Sequence, residues 1–239
     1  MDYSDSYNKF FNKLKRDNKQ KGNVFSTAVG GDYEEMGYIQ MQLLRQAGLS
    51  ENDHVVDVGC GTGRLAYQLA EAKHAQYTGF DVVGEFLKFA KMKCQHSGYR
   101  FKRISGTSIP LPDQSANYIC FFSVFTHLLH EDSFKYLLSA KDVLKVGGKI
   151  IFSFLTYDED EHWVLFDQMV DNKESTHHNQ FVTNHQLEIW AEKLDFQVEL
   201  LETGSTPFIP LGKPIKLQNG ATFDRLGSLG QGVCIYSKT

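Results

Sequence analysis

The chain is short of the features that mark secreted, membrane-bound or nucleic-acid-binding proteins. Its four cysteines, Cys60, Cys94, Cys120 and Cys234, stand far apart and form no C-x-x-C pair. That spacing gives neither a disulfide nor a zinc framework, and it suits a reducing, cytoplasmic compartment. Basic charge is not in excess. The 25 Lys and Arg are outnumbered by 29 Asp and Glu, for a net charge of −4 and a pI near 6.1. Nucleic acid is therefore offered no general positive field. No apolar run is long enough to span a bilayer. The stretch from Met1 to Gln20 is polar and has no signal-peptide core. Internal repeats are absent. What remains, 239 residues with 41% hydrophobic content, is enough for one α/β domain or one domain with a lid.

The most informative stretch is Val55-Val56-Asp57-Val58-Gly59-Cys60-Gly61-Thr62-Gly63-Arg64. It reads as a buried parallel strand, an alternating-glycine turn and the start of a helix that continues through Leu65 to Ala70. Such a turn lets a polar ligand touch backbone N–H groups at a helix N-terminus. Glycine supplies close approach and positive φ there. Tyr77-Thr78-Gly79-Phe80-Asp81 reads as the next strand, with a carboxylate at its tip. Asp81 lies 20 residues beyond Gly61, the spacing at which an acidic residue can reach ribose hydroxyls. The dinucleotide pattern G-x-G-x-x-G is broken by Arg64, and only G-x-G-x-x-A from Gly61 to Ala66 survives.

Periodicity predicts strands over 54–58, 76–80, 100–104, 117–122 and 149–155, and helices over 64–72, 84–96, 131–144 and 184–193. Their alternation implies parallel pairing through right-handed crossovers. A helix is predicted from Tyr33 to Ala47, with Met36, Ile39, Leu43 and Leu44 on one side and Gly48 as its stop. Before it, Phe10, Phe11 and Leu14 mark one face of a short helix, ringed by Lys9, Lys13, Lys15, Arg16, Lys19 and Lys21. Residues 1–47 are thus expected to form an arm and helix, the arm either solvated, folded as a lid or in contact with an acidic surface. Lys145 to Lys149 reads as a tight turn into the fifth strand. Thr183-Asn184-His185-Gln186 is a capping-box signature. Phe196–Leu201 and Val233–Tyr236 supply two last strands, and Thr203–Gly232 reads as a long loop or hairpin.

Residues 48–155 resemble the core of the class I S-adenosylmethionine-dependent methyltransferases. The pattern D-x-G-x-G-x-G from Asp57 to Gly63 is similar to the first motif of that family, and Phe80-Asp81 to its second. Ile109 to Ser115, Tyr118 to Leu128 and Leu144 to Ile150 resemble its later segments. The resemblance implies an α/β Rossmann-like three-layer sandwich with a seven-stranded sheet of order 3-2-1-4-5-7-6, the last strand antiparallel. It implies S-adenosylmethionine as cofactor, with residues 48–239 as the domain and 156–183 as a substrate-side insertion. Asp57, Gly59, Cys60, Gly61 and Arg64 would surround its methionine end. Asp81 would accept from the ribose hydroxyls, Val82 would pack on adenine, and Phe122 and Ser123 would line the methyl donor. Gly106 and Thr107 stand where the family often has an acidic residue for the adenine amino group. Ala116-Asn117 replaces the usual Phe-Asp at the start of strand four.

His127 follows the fourth motif and is the candidate general base; the alternative is a helix cap or a backbone contact. His130 sits at a presumed helix start. His162, His177, His178 and His185 follow the fifth strand but lack metal-ligand spacing, so no metal is expected. Asp158 to Glu161 reads as a solvated acidic loop, and Trp163 and Phe166 as pocket or loop packing. No Asn/Asp-Pro-Pro-aromatic motif follows strand four, where Phe122-Ser123-Val124-Phe125 stands. The reading is a methyltransferase acting on oxygen or nitrogen of a small-molecule acceptor. A nicotinamide-dependent oxidoreductase and a non-catalytic binding protein are the alternatives. Oligomeric state is left open.

Overall fold

The computed structural model describes residues 3–17, 24–171, 179–204 and 206–239. Five parallel strands begin the sheet: β1 (His54–Val58), β2 (Gln76–Asp81), β3 (Tyr99–Arg103), β4 (Ala116–Phe121) and β5 (Leu144–Phe154). β6 (Phe196–Glu202) and β11 (Gly232–Lys238) complete it. The order is β3-β2-β1-β4-β5-β11-β6, and β11 runs antiparallel to both β5 and β6. With the short ribbons of the 203–232 segment set aside, this is the expected 3-2-1-4-5-7-6 order of an α/β Rossmann-like fold. β1 is buried from Val55 onward, Asp57 included, because it lies inside a parallel sheet.

The described residues form two compact units. The first spans 1–52, 60–105 and 207–227. It holds helices α1 (Tyr3–Asp17), α2 (Val24–Thr27), α3 (Tyr33–Gln46), α4 (Arg64–Glu71) and α5 (Gly84–Cys94), with β2 and β3. α3 ends as its sequence predicts: Leu49 N–H donates to the Leu44 carbonyl, and Gly48 takes φ +96°. Phe11 is the buried residue of α1, and Tyr7 and Leu14 pack partly buried around the same cluster. The spacing i, i+4, i+7 puts those three on one stripe, and Phe11 packs edge-on against Phe86 at 4.7 Å. Segment 207–227 is a hairpin of two short ribbons. β7 (Ile209–Pro210) pairs with β10 (Leu226–Gly227), and β8 (Ile215–Lys216) with β9 (Thr222–Phe223).

The second unit spans 53–59, 106–206 and 228–239, with β1, β4, β5, β6 and β11. Its helices are α6 (His130–Val143), α7 (Asp160–Asp171) and α8 (Asn184–Lys193). Thr183 caps α8, its Oγ1 accepting from Gln186 N–H at 3.2 Å. Leu187, Ala191 and Leu194 are buried, while Trp190 is only half-buried, edge-on to Phe134. Two expectations are corrected. The Lys145–Lys149 segment is not a separate turn but part of β5. Its glycines are absorbed by a break in register, from Ala116 opposite Leu144 to Tyr118 opposite Lys149. The acidic run is not a loop throughout: Asp160 and Glu161 form the first turn of α7, where carboxylates favour the helix dipole.

Candidate functional site

In the first unit the glycine turn and the tip of β2 are joined by Asp81. Its Oδ2 accepts from Gly61 N–H at 2.8 Å, and its Oδ1 from Val83 N–H at 2.8 Å. The carboxylate is therefore fixed in rotation, with further lone pairs left on both oxygens. It is buried. Burial raises its pKa from 3.8 to about 6, against the lowering effect of hydrogen bonds from Val83, Gly61 and Val82 N–H. Gly61 has φ +54°, and a Cβ there would lie 2.8 Å from Val29 Cγ1. The backbone N–H of Cys60 donates to Phe80 O at 2.9 Å, and its side chain is buried. Val82 packs against the cluster of Phe11, Val83 and Phe86.

The N-terminal segment is fastened to this turn. Thr62 Oγ1 donates to Phe25 O at 3.1 Å. Arg64 Nη1 donates to Val29 O at 2.8 Å, and the Gln40 amide oxygen accepts from Arg64 Nη2 and Nε, both at 3.3 Å. Arg64 thus holds residues 29 and 40. Arg103 Nε donates to Val82 O and its Nη2 to Ser4 Oγ, so α1 is tied to the residue after Asp81. Burial, and then the charge of Asp81, push the Tyr7 hydroxyl above its ordinary range. Tyr7 was not identified from the sequence, because 74 residues separate it from Asp81 and no motif spans that interval.

In the second unit Asp57 and Gly59 close β1. Asp57 is buried and opposes Cys120 of β4 in register. Burial, and then the Asp57 charge, raise the Cys120 thiol well above its usual value. Gly59 has φ +75°, and a Cβ there would clash with Val124 Cγ2, so any side chain at 59 would collide with the loop after β4. Phe122 is buried and Ser123 half-buried. Ser123 takes φ +56°, uncommon for a residue with a Cβ. A hydrogen-bond set holds it there: Ser123 N–H donates to Ser153 Oγ at 2.7 Å, and both hydroxyls donate to Gln231 Oε1, at 3.1 and 2.7 Å. Ser153 and Gln231 are the residues the sequence reading missed here. Strain at a non-glycine residue, braced from β5 and from the residue before β11, is invisible before folding.

His127 is half-buried in a turn whose N–H donates to Val124 O at 2.9 Å. Gly106 has φ +77°, and its carbonyl accepts from Tyr136 Oη at 2.8 Å; Thr107 beside it is half-buried. His130 serves structure: Nε2 donates to Phe181 O at 3.1 Å, and Nδ1 accepts from Gln186 Nε2 at 3.2 Å. His162 is buried. Its Nδ1 accepts from Thr156 N–H at 3.1 Å and its Nε2 donates to Gly230 O at 3.2 Å. His185 is exposed beside Glu188. His177 and His178, like Lys19 and Lys21, lie outside the described residues. Among the described residues no group of three or more His, Cys, Asp or Glu could hold a metal ion. No described helix is long and apolar enough to cross a membrane.

Residues 56–152 match the family model described as a methyltransferase domain. The biotin biosynthesis bifunctional protein BioHC of Saccharophagus degradans is 26% identical over 192 residues, 77% of this chain and 34% of that protein. A tRNA U34 carboxymethyltransferase of Shewanella amazonensis is 29% identical over 177 residues, 66% of this chain and 51% of the relative. The chain thus spans between about a third and a half of these curated relatives. Among solved structures, the magnesium protoporphyrin IX methyltransferase of Synechocystis PCC 6803, with bound SAH (S-adenosylhomocysteine), has a TM-score of 0.65. The match covers 98% of this chain and 97% of that one at 15% identity.

Proposed function

We propose that this chain, which belongs to the class I S-adenosylmethionine-dependent methyltransferases, is an enzyme that methylates an oxygen or nitrogen of a small-molecule acceptor. One observation carries the reading. Asp81 stands at the tip of the second strand, its two oxygens set by Gly61 and Val83 N–H and its remaining lone pairs suited to a pair of vicinal hydroxyls. Gly61 suits the glycine turn, since at φ +54° a Cβ would crowd Val29 and strain the backbone that presents its N–H to Asp81.

When bound, the cofactor supplies a sulfonium methyl group to an in-line nucleophile. The chain does the rest. Asp57, Gly59, Cys60 and Gly61 form the turn around the methionine end, with Arg64 holding that turn to residues 29 and 40. Asp81 orients the ribose. Val82 would pack on the adenine, and Gly106 and Thr107 are the candidates for its amino group, as the resemblance implies. Phe122 and Ser123 border the donor end, and the braced φ of Ser123 keeps that border rigid. His127 takes the proton that an acceptor O–H or N–H releases as it is methylated.

Residues 1–47 act as the lid, a reading supported by the bonds from Thr62, Arg64 and Arg103 to the N-terminal segment. Residues 156–183 are assigned to the acceptor side, as the resemblance implies. The scattered thiols favour a reducing, cytoplasmic setting. The relatives' names cover acceptors as different as tRNA and a porphyrin; the acidic balance of this chain favours a small molecule.

Thermal unfolding with S-adenosylmethionine, S-adenosylhomocysteine and NAD, each in excess, tests the assignment. A ligand at about 100 times its Kd adds about 2.7 kcal/mol to the native state. That corresponds to roughly 5–10 °C for a domain of this size. The two adenosyl-sulfur ligands are expected to give the shift and NAD none. A shift with NAD alone would replace this reading with the oxidoreductase one.

A further inference from the structure

Four rings gather just past the end of β5, all within the second unit. Tyr157 stacks on Phe181 with centroids 4.9 Å apart and planes at 20°. Phe166 stands edge-on to both, at 5.6 and 5.8 Å. Trp163 stands edge-on to Phe166 at 5.1 Å. Such geometry is what ring quadrupoles favour. The cluster is partly exposed. Tyr157 and Trp163 are 41% and 42% exposed, and Val164 and Val170 of α7 more so. Contiguous apolar surface of this kind is where ligand and partner sites are found.

The cluster is held rigid. Trp163 Nε1 donates to Tyr157 O at 2.7 Å. His162 fastens the start of α7 to Thr156 and to Gly230 through both ring nitrogens. Phe181 bridges to Leu155 at the end of β5, and its carbonyl accepts from His130. Gln180 N–H donates to Thr126 O at 2.7 Å, next to His127. The rings are therefore built onto the loop that follows β4, the loop carrying Ser123 and His127. Beside the rings the chain reads Asp158-Glu159-Asp160-Glu161, with Asp158 positioned by Thr156 Oγ1. Four carboxylates next to open aromatic faces suit a cation and repel an anion.

We propose that this cluster is the acceptor platform, and that the acceptor is a planar aromatic molecule bearing a basic amine. The ring stacks on the exposed faces of Tyr157 and Trp163, and the ammonium group lies toward the 158–161 carboxylates. The proposal rests on the methyltransferase reading and narrows its acceptor class.

The test uses the full chain and saturation-transfer NMR with two probes of one ring system, tryptamine and indole-3-acetate, while SAH affinity is measured separately. Tryptamine is expected to bind saturably, and indole-3-acetate at least tenfold more weakly. Trp163→Ala should abolish tryptamine binding, and Trp163→Phe should retain it, both with the wild-type circular dichroism spectrum and SAH affinity. Absent tryptamine binding to the wild type, equal binding of the anion, or indifference to Trp163→Ala would overturn the proposal. Failure of the wild type to bind SAH would instead count against the methyltransferase reading, so the two are told apart.

Discussion

Asp81 is the residue whose chemistry the fold changes most. Its carboxyl sits at about 6 when folded, against 3.8 for the free side chain, because burial outweighs three backbone hydrogen bonds. The folded state therefore prefers the protonated form. That preference is fully expressed below pH 3.8 and is lost as pH rises through about 6. Two hydroxyl donors from a ribose require the opposite, the ionised form. SAH affinity should then be flat above about pH 7 and fall roughly tenfold per unit below pH 6. Asp81→Asn should weaken binding at pH 7.5 by at least tenfold and remove that acid limb. Calorimetric titration across pH 5–8 measures both, and an acid limb surviving in the variant would exclude Asp81 as its source. Asp81 was legible before folding because a strand tip and a fixed spacing from Gly61 are local properties. Tyr7, Ser153 and Gln231 were not, since each meets its partner only after distant segments come together.

Among the elements, α7 best shows how local signals can mislead. The run Asp158–Glu161 has the composition of a solvated loop, yet its last two residues open a helix because their charge suits the dipole. Beside the ring packing of Trp163 and Phe166, a buried histidine bridging Thr156 and Gly230 fastens that helix. His162→Ala leaves the Thr156 N–H without its acceptor and a small void beside it. A loss of about 2–3 kcal/mol is expected in denaturant unfolding. Amide exchange should quicken through 157–171 while β2 and α5 keep their protection. Unaltered exchange in α7 would mean that its packing, not His162, holds it. Helices α4, α5, α6 and α8 followed their periodicity to within two residues at each end, because each has an apolar stripe flanked by clear stop signals. The glycine pair at 147–148 suggested a turn for the same local reason. Pairing with β4 overrode it, the sheet absorbing the extra residues as a break in register.

For the molecule as a whole, the charge balance is the property that bears on partners. A net charge of −4 gives a nucleic acid little to bind. Filter binding with bulk tRNA at 0.15 M salt should detect no saturable complex. A submicromolar, strongly salt-dependent complex would move the acceptor from small molecules to RNA, in line with the tRNA-directed relative. Strand order belongs to this scale too. Alternating strands and helices dictated parallel pairing, but only the resemblance to a known family supplied the order 3-2-1-4-5-7-6. Hydrophobic pattern says which residues are buried, not which strand lies beside which.

The sequence by itself determined the strand, turn and helix from Val55 to Ala70, the acidic tip at Asp81, the ends of α3 and α8, and the absence of a disulfide or basic-field character. All of these follow from backbone preference, side-chain chemistry and spacing over a few residues. The tertiary structure decided the rest: the antiparallel seat of β11 between β5 and β6, the strained backbone of Ser123, the seating of α1 on Val83 and Phe86, and the four rings beside β5. Each depends on contacts between segments far apart in the chain. Those contacts form only when burial repays the entropy of bringing such segments together, so no local signal can announce them.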